Sequence, residues 1–86
     1  MKLIYCPFCT DVVRLNKKLR KCECGKCSGK YEDDGLNATI SEDAVPIGFS
    51  NKGFKEALKA NPDAELGKRF EAFVISKDAT TIKVKK

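Results

Sequence analysis

Five cysteines fall within the first 27 residues of this 86-residue chain, and they come in two tight groups. Cys6-Pro7-Phe8-Cys9 is followed by twelve residues and then by Cys22-Glu23-Cys24-Gly25-Lys26-Cys27. A tight turn points both of its cysteine side chains into one concavity, so two such turns can deliver four sulfurs at tetrahedral angles. Zn²⁺ requires that delivery, because it binds thiolate well and has no preferred geometry of its own. Pro7 fixes φ inside the first turn, and Gly25 allows a positive φ just after Cys24. The chain has no histidine, so the predicted shell is four thiolates with Zn–S near ~2.3 Å. Cys6 and Cys9 supply two of them. The second pair can be Cys22 with Cys24, Cys24 with Cys27, or Cys22 with Cys27. The sharp turn that Gly25 permits favours Cys22 and Cys24, with Cys27 as the alternate. Four cysteines would also suit iron.

Residues 10–21 are long enough for two short strands and a reversal. The predicted class is α+β: a zinc ribbon over residues 1–30, made of β-hairpins around a four-cysteine zinc, then a small antiparallel sheet with one main helix over residues 31–86. The second part packs on the first as one folding unit. Two other readings of the cysteines carry less. Lys2-Leu3-Ile4-Tyr5 leading into Cys6-Pro7-Phe8-Cys9 resembles the strand and active-site turn of a glutaredoxin, with residues 10–19 as its helix and Val45-Pro46 as its cis-proline loop. That family has no use for Cys22 and Cys24, and this chain lacks the Gly-Gly pair that family uses for glutathione. A disulfide scaffold would want an even number of cysteines behind a secretory signal.

A chain this short buries a modest core and commonly needs a staple. A bound metal would be that staple, since structural zinc contributes on the order of 10 kcal/mol of apparent binding energy. Hydrophobic residues make up 42% and charged residues 34%, the balance of a soluble globular protein. No apolar run reaches membrane-spanning length and the first residues do not read as a secretory signal. A cytoplasmic protein with reduced thiolates and no membrane partner is therefore expected. The net charge of +5 is unevenly spread. Residues 1–30 carry eight Lys or Arg against two acids (+6), residues 31–66 three against eight (−5), and residues 67–86 six against two (+4). A zinc with four thiolates removes two units from the front and leaves it positive. An anionic partner is thus expected to meet the ribbon and the C-terminal segment.

Residues 1–5 read as a strand, Asp11-Val12-Val13-Arg14-Leu15 as the next, and Leu19-Arg20-Lys21 as its return after a reversal at Asn16-Lys17-Lys18. That hairpin crowds Arg14, Lys17, Lys18, Arg20 and Lys21 around one tip. The tip is a solvated loop on the plain reading and a phosphate-binding finger on the sharper one, and no aromatic interleaves the basic run. Tyr31 is expected to cover the ribbon and Asp33-Asp34-Gly35 to turn the chain. Strands follow over residues 36–40 and 44–49, with Pro46 placing the second at a sheet edge or bend. The clearest helix starts at Ser50 or Asn51, repeats Phe54, Ala57 and Leu58 at helical spacing, and stops at Asn61-Pro62. A short turn over residues 63–66 closes at Gly67. Residues 70–75 read as a well-buried strand and residues 81–85 as a half-exposed final one. A second candidate site lies where Gly48 runs into the helix. Ser50, Asn51 and Lys52 beside unpaired backbone N–H groups would suit an anion, although plain capping accounts for the same residues.

Cys6-Pro7-x-Cys9, Cys22-x-Cys24-Gly25, Pro46-Ile47-Gly48-Phe49 and Phe73-Val74-Ile75 together make the chain resemble a group of small zinc-ribbon proteins of bacteria and phages that carry no assigned activity. The resemblance implies a C-x-C-G second turn, which supports Cys22 and Cys24 and makes Cys27 an extra. A phage setting implies action on a host factor, or binding of a nucleotide signal of host defence. The residues themselves point away from an enzyme: a closed four-thiolate zinc, no nucleophile with its base, no P-loop and no dinucleotide fingerprint. The expected function is that of a small, basic, non-catalytic zinc-binding protein whose partner is nucleic acid or a smaller phosphorylated or nucleotide ligand. One alternative is a protein–protein interaction module, favoured if Ile47 and Phe49 are exposed. The other is the glutaredoxin-like dithiol oxidoreductase.

Overall fold

A computed structural model describes residues 1–59, 67 and 69–85. These residues form an α+β fold of β1 (Lys2–Tyr5), β2 (Val12–Arg14), β3 (Arg20–Lys21), β4 (Ser28–Tyr31), β5 (Ala38–Ser41), β6 (Val45–Phe49), the helix α1 (Asn51–Lys59), β7 (Ala72–Val74) and β8 (Ile82–Lys85). The strands make two four-stranded sheets. The first has the order β2-β1-β6-β7 and is antiparallel throughout. The second has the order β3-β4-β5-β8, with β8 running parallel to β5. The single antiparallel sheet expected over residues 31–86 is thus divided: β6 and β7 complete one sheet, β5 and β8 the other.

The expected pairing of residues 11–15 with residues 19–21 does not form. Each cysteine turn is instead the tip of its own hairpin, with β1 pairing to β2 around residues 6–11 and β3 to β4 around residues 22–27. The backbone explains why. The Cys6 N–H donates to the Asp11 carbonyl and the Cys22 N–H to the Cys27 carbonyl, both at 2.9 Å. A strand leaving either turn is therefore already paired to the strand that entered it. Residues 15–19 become a crossing between sheets, tied to both: the Leu15 N–H donates to the Lys2 carbonyl (3.1 Å) and the Tyr31 N–H to the Asn16 carbonyl (2.8 Å). The Tyr31 hydroxyl accepts the Lys2 N–H at 2.7 Å, so this side chain also bridges the sheets.

One core lies between them. Ile4, Val13 and Leu15 meet Ala38, Ile40 and Ile82, with Cys6, Cys22, Cys27 and Ala44 in the same cluster. Each large aliphatic side chain buried here contributes about 1.5–3 kcal/mol. Gly29 lets β4 lie beneath the crossing chain, since a Cβ there would stand 3.1 Å from Leu15 Cδ2 and 3.2 Å from the Thr39 carbonyl.

Two expectations about the back of the chain are corrected. Pro46 is not at an edge: β6 lies between β1 and β7, and Pro46 is fully buried. It is tolerated because its absent N–H faces the end of β7, where pairing stops; its carbonyl on that side still accepts the Ile75 N–H at 2.9 Å. Residues 70–75 are not a well-buried strand either. β7 is the outer strand of its sheet, and Phe73 and Val74 remain 54% and 71% exposed. The half-exposed pattern expected of the last strand is present in β8. The helix stop at Asn61-Pro62 and the turn over residues 63–66 lie outside the described residues. Among the described residues no helix is long and apolar enough to cross a membrane.

Candidate metal centre

The two hairpin tips converge at one end of the core. Cys6, Cys9, Cys22 and Cys24 bring their Sγ atoms within 4.8 Å of one another. Cys24 Sγ stands 3.7 Å from Cys6 Sγ and 3.5 Å from Cys22 Sγ. A tetrahedral shell with Zn–S near 2.3 Å has an edge of roughly 3.8 Å, so the donor set fits a four-thiolate metal. All five cysteines are free of disulfides. Cys27 falls outside the set of four: it is 0% exposed and packs in the core beneath the tip.

The backbone of each tip is shaped to present sulfur. The Cys9 N–H points at Cys6 Sγ (3.5 Å) and the Cys27 N–H at Cys22 Sγ (3.4 Å). A left-handed residue follows the second cysteine of each pair, Thr10 (φ 62°) after Cys9 and Gly25 (φ 79°) after Cys24. The need at Gly25 was legible from the sequence. Thr10 gave no such signal, because a β-branched residue is a poor occupant of that region. The tips are also tied to each other without metal. Asp11 Oδ2 accepts the Glu23 N–H at 2.9 Å, and the Lys26 ammonium stands 4.8 Å from the centre of the Phe8 ring.

Crowding four sulfurs polarises them. Burial pushes the Cys6 thiol up, but the N–H groups of Cys9 and Phe8 and the thiols of Cys27 and Cys22 outweigh it and bring it down to about 6. Cys22 is also lowered: burial raises it, and the Cys27 N–H with the Cys24 thiol more than compensates. Cys24 receives the Lys26 N–H, which lowers it, yet burial and the Cys22, Cys9 and Cys6 sulfurs together push it up to about 12. Burial first, then the Cys6 and Cys22 sulfurs, raise the Cys27 thiol to about 11. Four adjacent thiolates repel one another, and a divalent cation at their centre removes that repulsion.

The basic residues expected at one hairpin tip are spread out instead. Arg14 ends β2 in the first sheet, Arg20 and Lys21 form β3 in the second, and Lys17 and Lys18 lie on the crossing between them. Arg20 Nη1 donates to the Arg14 carbonyl at 3.0 Å. The residues at the start of α1 have structural tasks. Ser50 caps the helix, its Oγ accepting the Gly53 N–H (3.3 Å), and Asn51 Oδ1 accepts from the Met1 ammonium (2.8 Å). A Cβ on Gly48 would lie 2.7 Å from the Phe73 ring, so Gly48 is the floor beneath that ring. Lys52 lines an open depression together with Arg69, Glu56 and Glu71, whose charges balance. Ile47 and Phe49 are half-buried, and Phe49 joins Phe54 and Phe70 in an aromatic trio with ring centres 4.9–5.8 Å apart. The helix that a glutaredoxin-like reading requires over residues 10–19 is absent; β2 and the crossing occupy that stretch, and Val45-Pro46 lies within β6.

No protein family, curated protein or solved structure matches this chain in comparisons of sequence and fold.

Proposed function

We propose that the protein is a non-catalytic zinc-ribbon protein whose Zn²⁺, held by Cys6, Cys9, Cys22 and Cys24, clamps two hairpins together so that a basic surface is displayed to an anionic partner. The observation that carries this reading is the position of the four sulfurs. They come from two hairpins in different sheets, so an ion at their centre cross-links the halves of a small core. A shell of four protein thiolates leaves no open position for water or substrate, which suits a structural ion. Backbone N–H groups aimed at the sulfurs favour the thiolate form that the metal needs. The positive charge of residues 1–30 and 67–86 then supplies the attraction for nucleic acid or a phosphorylated ligand, including the nucleotide signal that a phage setting would bring.

Two measurements test it on the full chain. Native mass spectrometry is expected to find one zinc per chain, and colourless protein would argue against iron. Binding of a polyanionic probe is expected to weaken steeply with salt. Folded, metal-free protein with Cys6 oxidised to Cys9 would sink the metal half of the proposal; an affinity independent of salt would sink the other half.

A further inference from the structure

The outer face of the second sheet carries lysines in register. Lys21 pairs with Ser28 and Ser41 with Lys85, while Lys30 pairs with Thr39, which in turn pairs with Lys83. The Ser28 N–H donates to Ser41 Oγ at 3.0 Å, which joins the first two pairs into a row of Lys21, Ser28, Ser41 and Lys85. Lys30, Thr39 and Lys83 make a second row. Residues directly opposite across a strand pair share a face, and the other face of this sheet, with Gly29, Ala38, Ile40 and Ile82, is the buried one. The four lysines are exposed, and the three hydroxyl residues between them are half-buried. A depression of about 190 Å³ runs among Ser28, Lys30, Thr39, Ser41 and Lys85, with Leu19 as an apolar side chain on its wall. Glu32, at the end of β4, accepts the Thr39 hydroxyl and fixes it in place. Four lysines against the Glu32 carboxylate leave this face positive.

We infer that this face binds the phosphate backbone of double-stranded nucleic acid without reading its sequence. The inference rests on the proposal above that the protein has an anionic partner, and it names the surface and the partner. Strands lie about 4.8 Å apart, so Lys21 and Lys85 stand about 14 Å from each other across the sheet. A duplex presents one phosphate per about 1.7 Å of axis, or about eight over that width, so a single face can engage every lysine. Lysine ammonium groups are donors suited to phosphate oxygens, whereas the Thr39 hydroxyl is already given to Glu32. The rows hold no arginine, asparagine or glutamine to form paired hydrogen bonds with a base edge. They hold no aromatic either, and single strands draw much of their affinity from stacking on aromatic rings. A duplex stacks its own bases and needs only the cations.

The test uses the zinc-loaded full chain and a short mixed-sequence DNA duplex. Four phosphate contacts at about −0.9 each give log K a slope of about −3.6 against log salt, or roughly a hundredfold loss between about 50 and about 200 mM. K21Q/K30Q/K83Q/K85Q is expected to remove nearly all of that slope, and K55Q/K59Q on α1 to leave it unchanged. If the fourfold variant loses its zinc or its melting transition, K21Q/K30Q and K83Q/K85Q serve separately, each lowering the slope by about 1.8. Full binding by the sheet variants, with loss in K17Q/K18Q, would overturn the surface and leave the anionic partner standing. Tighter binding of a single strand of equal length, or of a mononucleotide, would overturn the duplex. No binding of any of the three probes by the unaltered protein would overturn both this inference and the reading beneath it.

Discussion

In residues 22–27, and again in residues 32–37, the first N–H donates to the carbonyl of the sixth residue: Cys22 to Cys27 at 2.9 Å and Glu32 to Asn37 at 2.7 Å. In both, the glycine at the fourth position donates back to the first carbonyl, Gly25 to Cys22 and Gly35 to Glu32, with φ of 79° and 69°. The fifth N–H meets the third side chain in both, Lys26 to Cys24 and Leu36 to Asp34, but that side chain has a second task that differs. Cys24 also turns its sulfur toward Cys6 of the other hairpin, whereas Asp34 takes the Asn37 N–H as well. The backbone therefore makes this turn whether or not a ligand sits in it. A metal held by the four sulfurs would join two tips and would not be needed to bend the chain. The first tip closes with the same first-to-sixth bond, but its second cysteine comes one residue later, and the left-handed residue moves with it to Thr10.

The largest expected effect separates ligand from bystander. Cys24→Ser or Cys9→Ser should abolish stoichiometric zinc and remove a stabilisation on the order of 10 kcal/mol, seen as loss of cooperative melting. Cys27→Ala should keep one zinc per chain and cost only about 1 kcal/mol for the cavity it leaves. Metal lost from the Cys27 variant and kept by the Cys24 variant would reverse the assignment. Next come the two turn glycines. No atom lies within 4 Å of a Cβ added at Gly25 or at Gly35, so alanine at either should cost the same ~1 kcal/mol of backbone strain. Unequal losses in chemical denaturation would show that metal tension, and not φ alone, acts at Gly25. Thr10→Gly should stabilise the first tip by up to about 1 kcal/mol for the same reason.

What the sequence told and withheld follows the range of the forces involved. The two tight cysteine turns, the turn at Asp33-Asp34-Gly35, the Ser50 cap and the alternation of β8 are set by neighbours within a few residues, and all were legible. Partner strands were not. Val12 and Val13 announce a strand, but nothing in them says that β2 returns to β1 instead of pairing with residues 19–21. The apolar run Phe73-Val74-Ile75 looks buried, yet burial depends on whether another strand follows β7, and none of the described ones does. The lysine rows were invisible for the same reason: Lys21, Lys30, Lys83 and Lys85 become neighbours only through register, and the parallel addition of β8 could not be foreseen from its own residues.

A smaller contrast lies between the two tips. Asp11 latches the Glu23 N–H across the metal end, so Asp11→Ala should lower stability by about 1 kcal/mol while zinc content stays at one per chain. Asp11→Asn, which keeps an oxygen acceptor, should recover most of that loss in thermal melting. No difference between the two variants would mean that the Lys26–Phe8 contact and the cysteine cluster suffice.

The smallest effect belongs to the turn without cysteines. The Leu36 and Asn37 N–H groups, with the Asn37 side chain, hold the Asp34 carboxyl below its usual 3.8, outweighing slight desolvation. A carboxyl with a lower pKa in the folded state stabilises fully above its unfolded value and loses that contribution as pH falls through the folded one. Acid should therefore loosen residues 32–37 only below 3.8. The carbon shift of the Asp34 carboxyl and the amide shifts of Leu36 and Asn37 would follow it, with a midpoint under the usual value. Asp34→Ala should erase the shared transition and speed hydrogen exchange of both amides at neutral pH. Unchanged exchange in that variant would mean that first-to-sixth bonding holds the turn by itself, and the comparison with residues 22–27 would then rest on backbone alone.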